Sequence, residues 1–287
     1  MRALLQTVEK VLDHDVNLLL LGESGSGKDF LTEAIHACGG RRQNPFIRID
    51  CAGIPVELFE SELFGFEKGT FTDAHARKLG KLELVKGGTI YFDDIASLAP
   101  ALQAKLLRAI QEKRFTRLGS NQTVALDGRV ISSSSVPAEE LVNELRRDLF
   151  YRINVVTLTI PPLRERRDDI PQLARSFLAR RKRAIDPEAM RMLVEHDWPG
   201  NVRELRNVID RAVLVEESDV LTPSSLPTLT TDFVAAATSH RWTLEELEAR
   251  YIRDILRQTK SNYSRAARIL GINRKTLLEK RRKYGIE

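Results

Sequence analysis

Leu18-Leu-Leu-Leu21-Gly22-Glu-Ser-Gly-Ser-Gly27-Lys28-Asp29 is the stretch whose reading decides the fold. An apolar run too short for a helix meets a glycine-rich turn, and a helical pattern over residues 30–37 follows. Glycines let a backbone wrap an anion, the first N–H groups of the helix point at it, and Lys28 adds a charge. Strand, G-x-x-x-x-G-K loop and helix together predict a phosphate-binding loop for a nucleoside triphosphate. Its candidate nucleotide-binding residues are Gly22, Glu23, Ser24, Gly25, Ser26, Gly27, Lys28 and Asp29. Asp29 stands where many such loops place a Ser or Thr hydroxyl for magnesium.

A phosphate loop alone does no chemistry, and the stretch Gly87-Gly-Thr-Ile-Tyr-Phe-Asp93-Asp94 supplies the expected acidic strand end. Asp93 is expected to hold Mg2+ through water, and Asp94 to orient or deprotonate an attacking water. Further apolar runs at 16–21, 46–49, 129–132 and 155–160 alternate with helical patterns. That alternation predicts an α/β fold with a five-stranded parallel sheet covered on both faces. After Pro161-Pro162 the strand signals stop, and 168–217 reads as helices only. The chain thus divides into an α/β ATPase subdomain at 1–165 and an α-helical lid at 166–220. A Pro-, Ser-, Thr- and Ala-rich linker follows at 221–241, then a small all-α domain at 242–287.

Charge separates these parts. The whole chain has 45 Lys and Arg against 40 Asp and Glu, but eight of those cations and only two of the carboxylates fall within 261–287. Positive charge gathered in one tail points to a polyanion. There, 264–271 reads as a short helix ending at Gly271, and a second begins after Asn273 as its cap, with Ala267, Leu270, Ile272 and Leu277 as the core. This is helix-turn-helix spacing. Asn273, Arg274, Lys275, Thr276, Lys280 and Arg281 are the candidate DNA-binding residues. The helix before it, with Leu244, Leu247, Tyr251 and Ile255 as its apolar stripe, is expected to pair two subunits on a palindromic site. Two cysteines and five histidines make no disulfide framework and no metal cluster. No run approaches the ~20 apolar residues of a membrane helix, and no export signal opens the chain, so a cytoplasmic protein without a membrane partner is expected.

Taken in order, Glu60-Ser-Glu-Leu-Phe-Gly65, Glu67-Lys-Gly-Thr-Phe-Thr-Asp-Ala74, Leu102-Gln-Ala-Lys-Leu-Leu107, Pro161-Pro-Leu-Arg-Glu-Arg166 and Trp198-Pro-Gly-Asn-Val-Arg-Glu-Leu205 resemble the central domain of bacterial enhancer-binding proteins. These are the AAA+ activators of RNA polymerase carrying sigma-54, and the tail resembles their Fis-type helix-turn-helix. The resemblance implies an AAA+ P-loop NTPase that uses ATP, assembles from dimers into a hexameric ring, binds DNA at an upstream activator site and remodels sigma-54 RNA polymerase. Residue by residue, it implies that Lys28 binds phosphates and that Asp93 and Asp94 form the Walker B pair. Arg146 and Arg152 match the arginine fingers that reach a neighbouring subunit, and Arg203 matches the lid arginine that senses nucleotide. The stretch Gly69, Thr70, Phe71, Thr72, Asp73 and Ala74 matches the loop that grips sigma-54, with Phe71 and Thr72 as its exposed contacts.

Four positions depart from the family pattern. Asp73 stands at the loop's second glycine, Asp94 at a glutamate, Asp50 at an asparagine that couples the catalytic pair to the loop, and Ser134-Ser135 at a Thr-Asn sensor. A carboxylate one methylene short predicts slow hydrolysis. The alternative expectation is therefore a DNA-binding AAA+ regulator that binds ATP, hydrolyses it weakly and acts without sigma-54. A protein-unfolding motor is a third expectation, disfavoured by the helix-turn-helix. The sequence opens almost at the ATPase domain, so regulation is expected from a partner or from a segment outside it.

Overall fold

The computed structural model describes residues 1–71, 74–179, 181–226, 242–259 and 262–286. The chain forms two compact units, 1–227 and 228–287.

Five parallel strands build the first unit: β1 (Leu18–Leu21), β2 (Phe46–Asp50), β3 (Thr89–Asp93), β4 (Arg129–Ser134) and β5 (Val156–Thr159). Their order is β2-β3-β4-β1-β5. The unbroken leucine run of β1 follows from its position, with a layer on each face. Leu19 and Leu21 join Ile49, Phe92 and Val130 on one side, while Leu18 and Leu20 join Ile35, Tyr91 and Ile131 on the other. Parallel register brings Asp50 beside Asp93 and Leu21 beside Ser134, so the C-terminal strand ends meet at one edge. Ligands of open α/β sheets bind at that edge. Strands 16–21 and 155–160 of the sequence reading are each shortened here to four residues.

The lid holds the helices Ile170–Ala179, Pro187–Glu195 and Asn201–Val215. Trp198 is fully buried beneath them and donates its indole N–H to the Leu193 carbonyl at 2.7 Å. Two expectations need correction. The region read as helical only contains Ala184–Ile185, which pairs in parallel with Val220–Leu221. Leu221 and Leu226 are buried, so the first residues assigned to the linker belong to the lid instead. Two-residue strands leave no alternating pattern to read, and a Pro- and Ser-rich turn looks alike in either place. The rest of that linker, 227–241, lies outside the described residues.

In the second unit the helices Leu244–Gln258, Tyr263–Ile269 and Arg274–Lys283 close around Ile252, Ile255, Leu256, Ala266, Ala267 and Leu277. The expected stripe on the first helix is corrected at two positions. Leu244 and Tyr251 are exposed, and Ile252 and Leu256 face inward with Ile255.

Gly88, just ahead of β3, tolerates no side chain, because a Cβ there would lie 1.8 Å from the Pro45 carbonyl oxygen. Gly88→Ala is expected to destabilise the first unit by about 3 kcal/mol, read from chemical denaturation; an unchanged midpoint would contradict this packing.

Candidate nucleotide and DNA sites

The P-loop turns from β1 into the helix Lys28–Cys38 through Gly25 (φ 75°) and Gly27 (φ 106°). These left-handed conformations suit glycine, and Gly25 has a further reason: a Cβ would lie 2.4 Å from the Gly200 carbonyl oxygen of the lid. Lys28 Nζ donates to the carbonyls of Gly22 (2.7 Å) and Glu23 (3.2 Å), which fixes it inside the loop. An ammonium has three donors, so one remains for a phosphate. Burial lowers the Lys28 pKa, against the nearby carboxylates Asp93, Asp94 and Asp29. The Ser26 hydroxyl is buried without a hydrogen-bond partner among the described residues. A polyphosphate fits this cradle.

Arg164 and the lid residues after it close over the loop. Arg164 forms a paired salt bridge with Glu23 at 2.6 and 2.9 Å. Arg166 donates to the Ser26 carbonyl at 2.5 Å, and Arg203 to the Ser24 hydroxyl at 3.0 Å. Asn201, fully buried and left-handed at φ 54°, donates to Glu23 and to the Ser24 carbonyl while accepting from Leu163 N–H. Asparagine is among the few side chains that enter this backbone region readily. A cavity of about 420 Å³ opens beside Ser24 and Arg203 along the lid helix.

At the end of β3 the Asp93 carboxylate is held from three sides. Its Oδ1 accepts from the Ser133 hydroxyl at 2.8 Å and lies 3.0 Å from the Tyr91 hydroxyl, and its Oδ2 takes Arg48 at 2.5 Å. The same Arg48 nitrogen reaches Asp29 at 2.8 Å, and the Tyr91 hydroxyl lies 2.9 Å from the other Asp29 oxygen. Burial works against the Asp93 charge, yet the bonds from Ser133, Arg48 and Tyr91 keep its pKa below the usual carboxylate value. A guanidinium thus stands where a divalent ion between Asp29 and Asp93 would stand, so the arrangement does not fit magnesium. Asp94 is left-handed (φ 52°) and accepts from the Ser97 hydroxyl at 2.7 Å, while its N–H donates to Ser133.

Other expected site residues make no side-chain hydrogen bond to this cluster among the described residues. Asp50 closes the turn after β2, its Oδ1 accepting from the N–H groups of Ala52 and Gly53. Arg146 caps the short helix Arg147–Ile153, its N–H held by Gln103 at 2.7 Å and its exposed guanidinium paired with Asp148. Arg152 is exposed on that helix. Gly69, Thr70, Phe71 and Ala74 form a tight loop in which Thr70 bonds the carbonyls of Glu67 and Leu118. Phe71 is half-exposed and sits edge-on to Phe66 at 4.7 Å; Thr72 and Asp73 lie outside the described residues. Arg117, almost fully buried, anchors the base of this loop by pairing with Glu83 and Glu67.

Arg48, Tyr91 and Ser133 were missed by the sequence reading, which placed the sensor at Ser134-Ser135. Ser134 instead accepts from the Val136 N–H. The signal was strand parity: Arg48 and Tyr91 each precede a strand-end aspartate by two residues and so share its face.

In the second unit Asn273 caps the last helix as expected, its side chain accepting from Thr276 N–H at 2.8 Å. Arg274 and Lys275 are exposed at its start. Lys280 pairs with Glu248 at 2.6 Å, and Arg281 donates to the Ile286 carbonyl and lies over the Tyr263 ring. Those two cations hold the small domain together as it stands.

The chain is similar to known proteins along its length. Residues 1–159 match the family described as the sigma-54 interaction domain, 164–242 the AAA+ ATPase lid domain, and 243–284 the bacterial regulatory protein, Fis family. The chain is 43% identical over 293 residues to the transcriptional regulatory protein ZraR of Klebsiella oxytoca, covering 98% of this chain and 66% of that protein. It is 40% identical over 297 residues to the regulatory protein AtoC of Escherichia coli K12, covering 97% and 64%. It therefore spans about two thirds of the length of these relatives. Among solved structures it is similar to NtrX from Brucella abortus (TM-score 0.73, 34% identity, 100% of this chain and 68% of that one), which has also been solved with ADP and with ATP.

A carboxylate whose folded pKa is depressed stabilises the fold above its ordinary pKa, and that contribution is lost as the pH falls through the depressed value. Ser133→Ala removes the bond that does most to lower the Asp93 pKa. The acid-unfolding midpoint is therefore expected to move to higher pH; an unmoved midpoint would deny Ser133 this role.

Proposed function

The chain belongs to the family of sigma-54-interacting AAA+ transcriptional regulators, and from that membership we propose that it is a DNA-binding activator driven by ATP. In this reading the C-terminal unit binds an upstream DNA site through Arg274 and Lys275 at the exposed start of the last helix. Subunits assemble into a ring, and hydrolysis at each P-loop drives the loop bearing Phe71 against sigma-54. The domain division is then 1–165, a lid that runs from 166 to the buried Leu226, a linker and 242–287.

One observation carries the reading. Arg164, just ahead of the lid, and the lid residues Asn201 and Arg203 hold the P-loop directly, so a nucleotide bound there is felt by the lid. NtrX, solved with both ADP and ATP, supports nucleotide binding at this fold. Arg146 is exposed and paired with Asp148; turned to a neighbour's nucleotide, its guanidinium would neutralise charge developing on the γ-phosphate. The magnesium expected at Asp93 meets a carboxylate with both oxygens committed. A second reading, nucleotide binding with weak hydrolysis, is favoured by Asp94, whose shorter carboxylate is tied to Ser97.

ATP turnover measured against protein concentration separates the two. A ring-forming motor gives a rate per subunit that rises cooperatively and falls ~1000-fold in Arg146→Ala. Negligible turnover that Asp94→Glu restores would favour the second reading, and a rate indifferent to concentration and to Arg146→Ala would sink the first. DNA affinity has its own check. Each of Arg274→Ala and Lys275→Ala is expected to lower the slope of log affinity against log salt by about one. An unchanged slope in both would remove this helix from the phosphate contacts.

A further inference from the structure

Arg48 sits in the middle of β2, and its guanidinium lies 5.7 Å over the ring of Tyr91 and pairs with two carboxylates from different elements. Asp29 opens the helix after the P-loop, and Asp93 closes β3. The Tyr91 hydroxyl lies between the same two carboxylates, within 3.0 Å of each. Two anions brought this close repel unless a cation stands between them. In most phosphate sites of this kind a divalent ion, held by a hydroxyl and a carboxylate, fills that place. Here the hydroxyl is replaced by Asp29, which raises the negative charge of the place, and a guanidinium that stays protonated at any working pH fills it.

We propose that Arg48 is the resident counter-cation of the nucleotide site: it occupies the divalent-ion position between Asp29 and Asp93, so that the site accepts a nucleotide without metal and admits metal only when Arg48 withdraws. The inference rests on the reading that this site takes a nucleotide. The cations Lys28, Arg48, Arg164, Arg166 and Arg203 balance the carboxylates Glu23, Asp29, Asp50, Asp93 and Asp94 around the loop, so an incoming polyphosphate meets no net negative field. Without Arg48 the carboxylates would prevail, and a metal ion would be needed to screen them. Withdrawal is open to it, because the Arg48 side chain is 43% exposed and the Asp29 carboxylate 38%.

The test uses Mn2+ as the probe, titrated into the nucleotide-free full chain and followed by the paramagnetic resonance of the free ion. Wild-type protein is expected to bind Mn2+ weakly, and Arg48→Gln to bind it about tenfold more tightly or better. Arg48→Lys, which keeps a cation, should stay near wild type, and Arg48→Gln combined with Asp29→Asn should lose the gain. Equal Mn2+ affinity in wild type and Arg48→Gln would overturn the proposal. A measurement on wild type alone guards against a variant that does not fold. Fluorescent ADP binding in EDTA should lie within about threefold of its value in magnesium, and a loss of tenfold or more would overturn the proposal. Failure to bind nucleotide under either condition would instead remove the nucleotide reading, while the Mn2+ titration would still decide the role of Arg48.

Discussion

With Leu18 to Leu21 sealed on both faces, β1 cannot slip by even one residue without forcing Asn17 or Gly22 into a place shaped for leucine. That register fixes where the strand ends, and therefore where the P-loop begins. Neighbouring strands inherit the same reference: β4 pairs with β1 so that Ser133 stands one residue below the rim, and β3 pairs with β4 so that Asp93 follows Phe92 out of the sheet. The lid adds a second constraint on the same few residues, since the Gly25–Gly200 approach leaves no room for a side chain. Chemistry at the site is thus positioned by packing on one side and by backbone contact on the other.

Much of this was legible in the sequence because it rests on local or strictly periodic signals. The strand–loop–helix around Lys28, the paired aspartates after an apolar strand, and the Asn273 cap each announce themselves within a few residues. Arg48 was not legible in that way. Its partners lie 19 and 45 residues away, one on the helix after the P-loop and one at the end of β3, and only the folded sheet and helix bring them together. Asn201 was hidden for a similar reason: its left-handed backbone and its contacts with Glu23 and Ser24 need the lid folded back on the loop. The short strands of the lid are too brief to leave a pattern, and the inner face of the helix Leu244–Gln258 was misassigned at Leu244 and Tyr251 because two overlapping apolar stripes run along it.

Charge in the C-terminal unit also divides more finely than its total suggests. Lys280 and Lys283 pair with Glu248 and Glu245 on the first helix, whereas Arg274 and Lys275 are left exposed where the last helix starts. A net positive tail therefore contains both internal struts and outward-facing cations, and mutation of the two kinds has different consequences for folding and for binding.

The ion network at Arg117 has a mechanical meaning. Two carboxylates on separate segments grip one nearly buried guanidinium at the foot of the loop that carries Phe71, and Thr70 is stitched to both sides of the same foot. Such a base resists bending, because parting any one contact would strand a buried charge. A push delivered to that foot moves it as one piece, because its contacts on both sides are tied to the same buried cation.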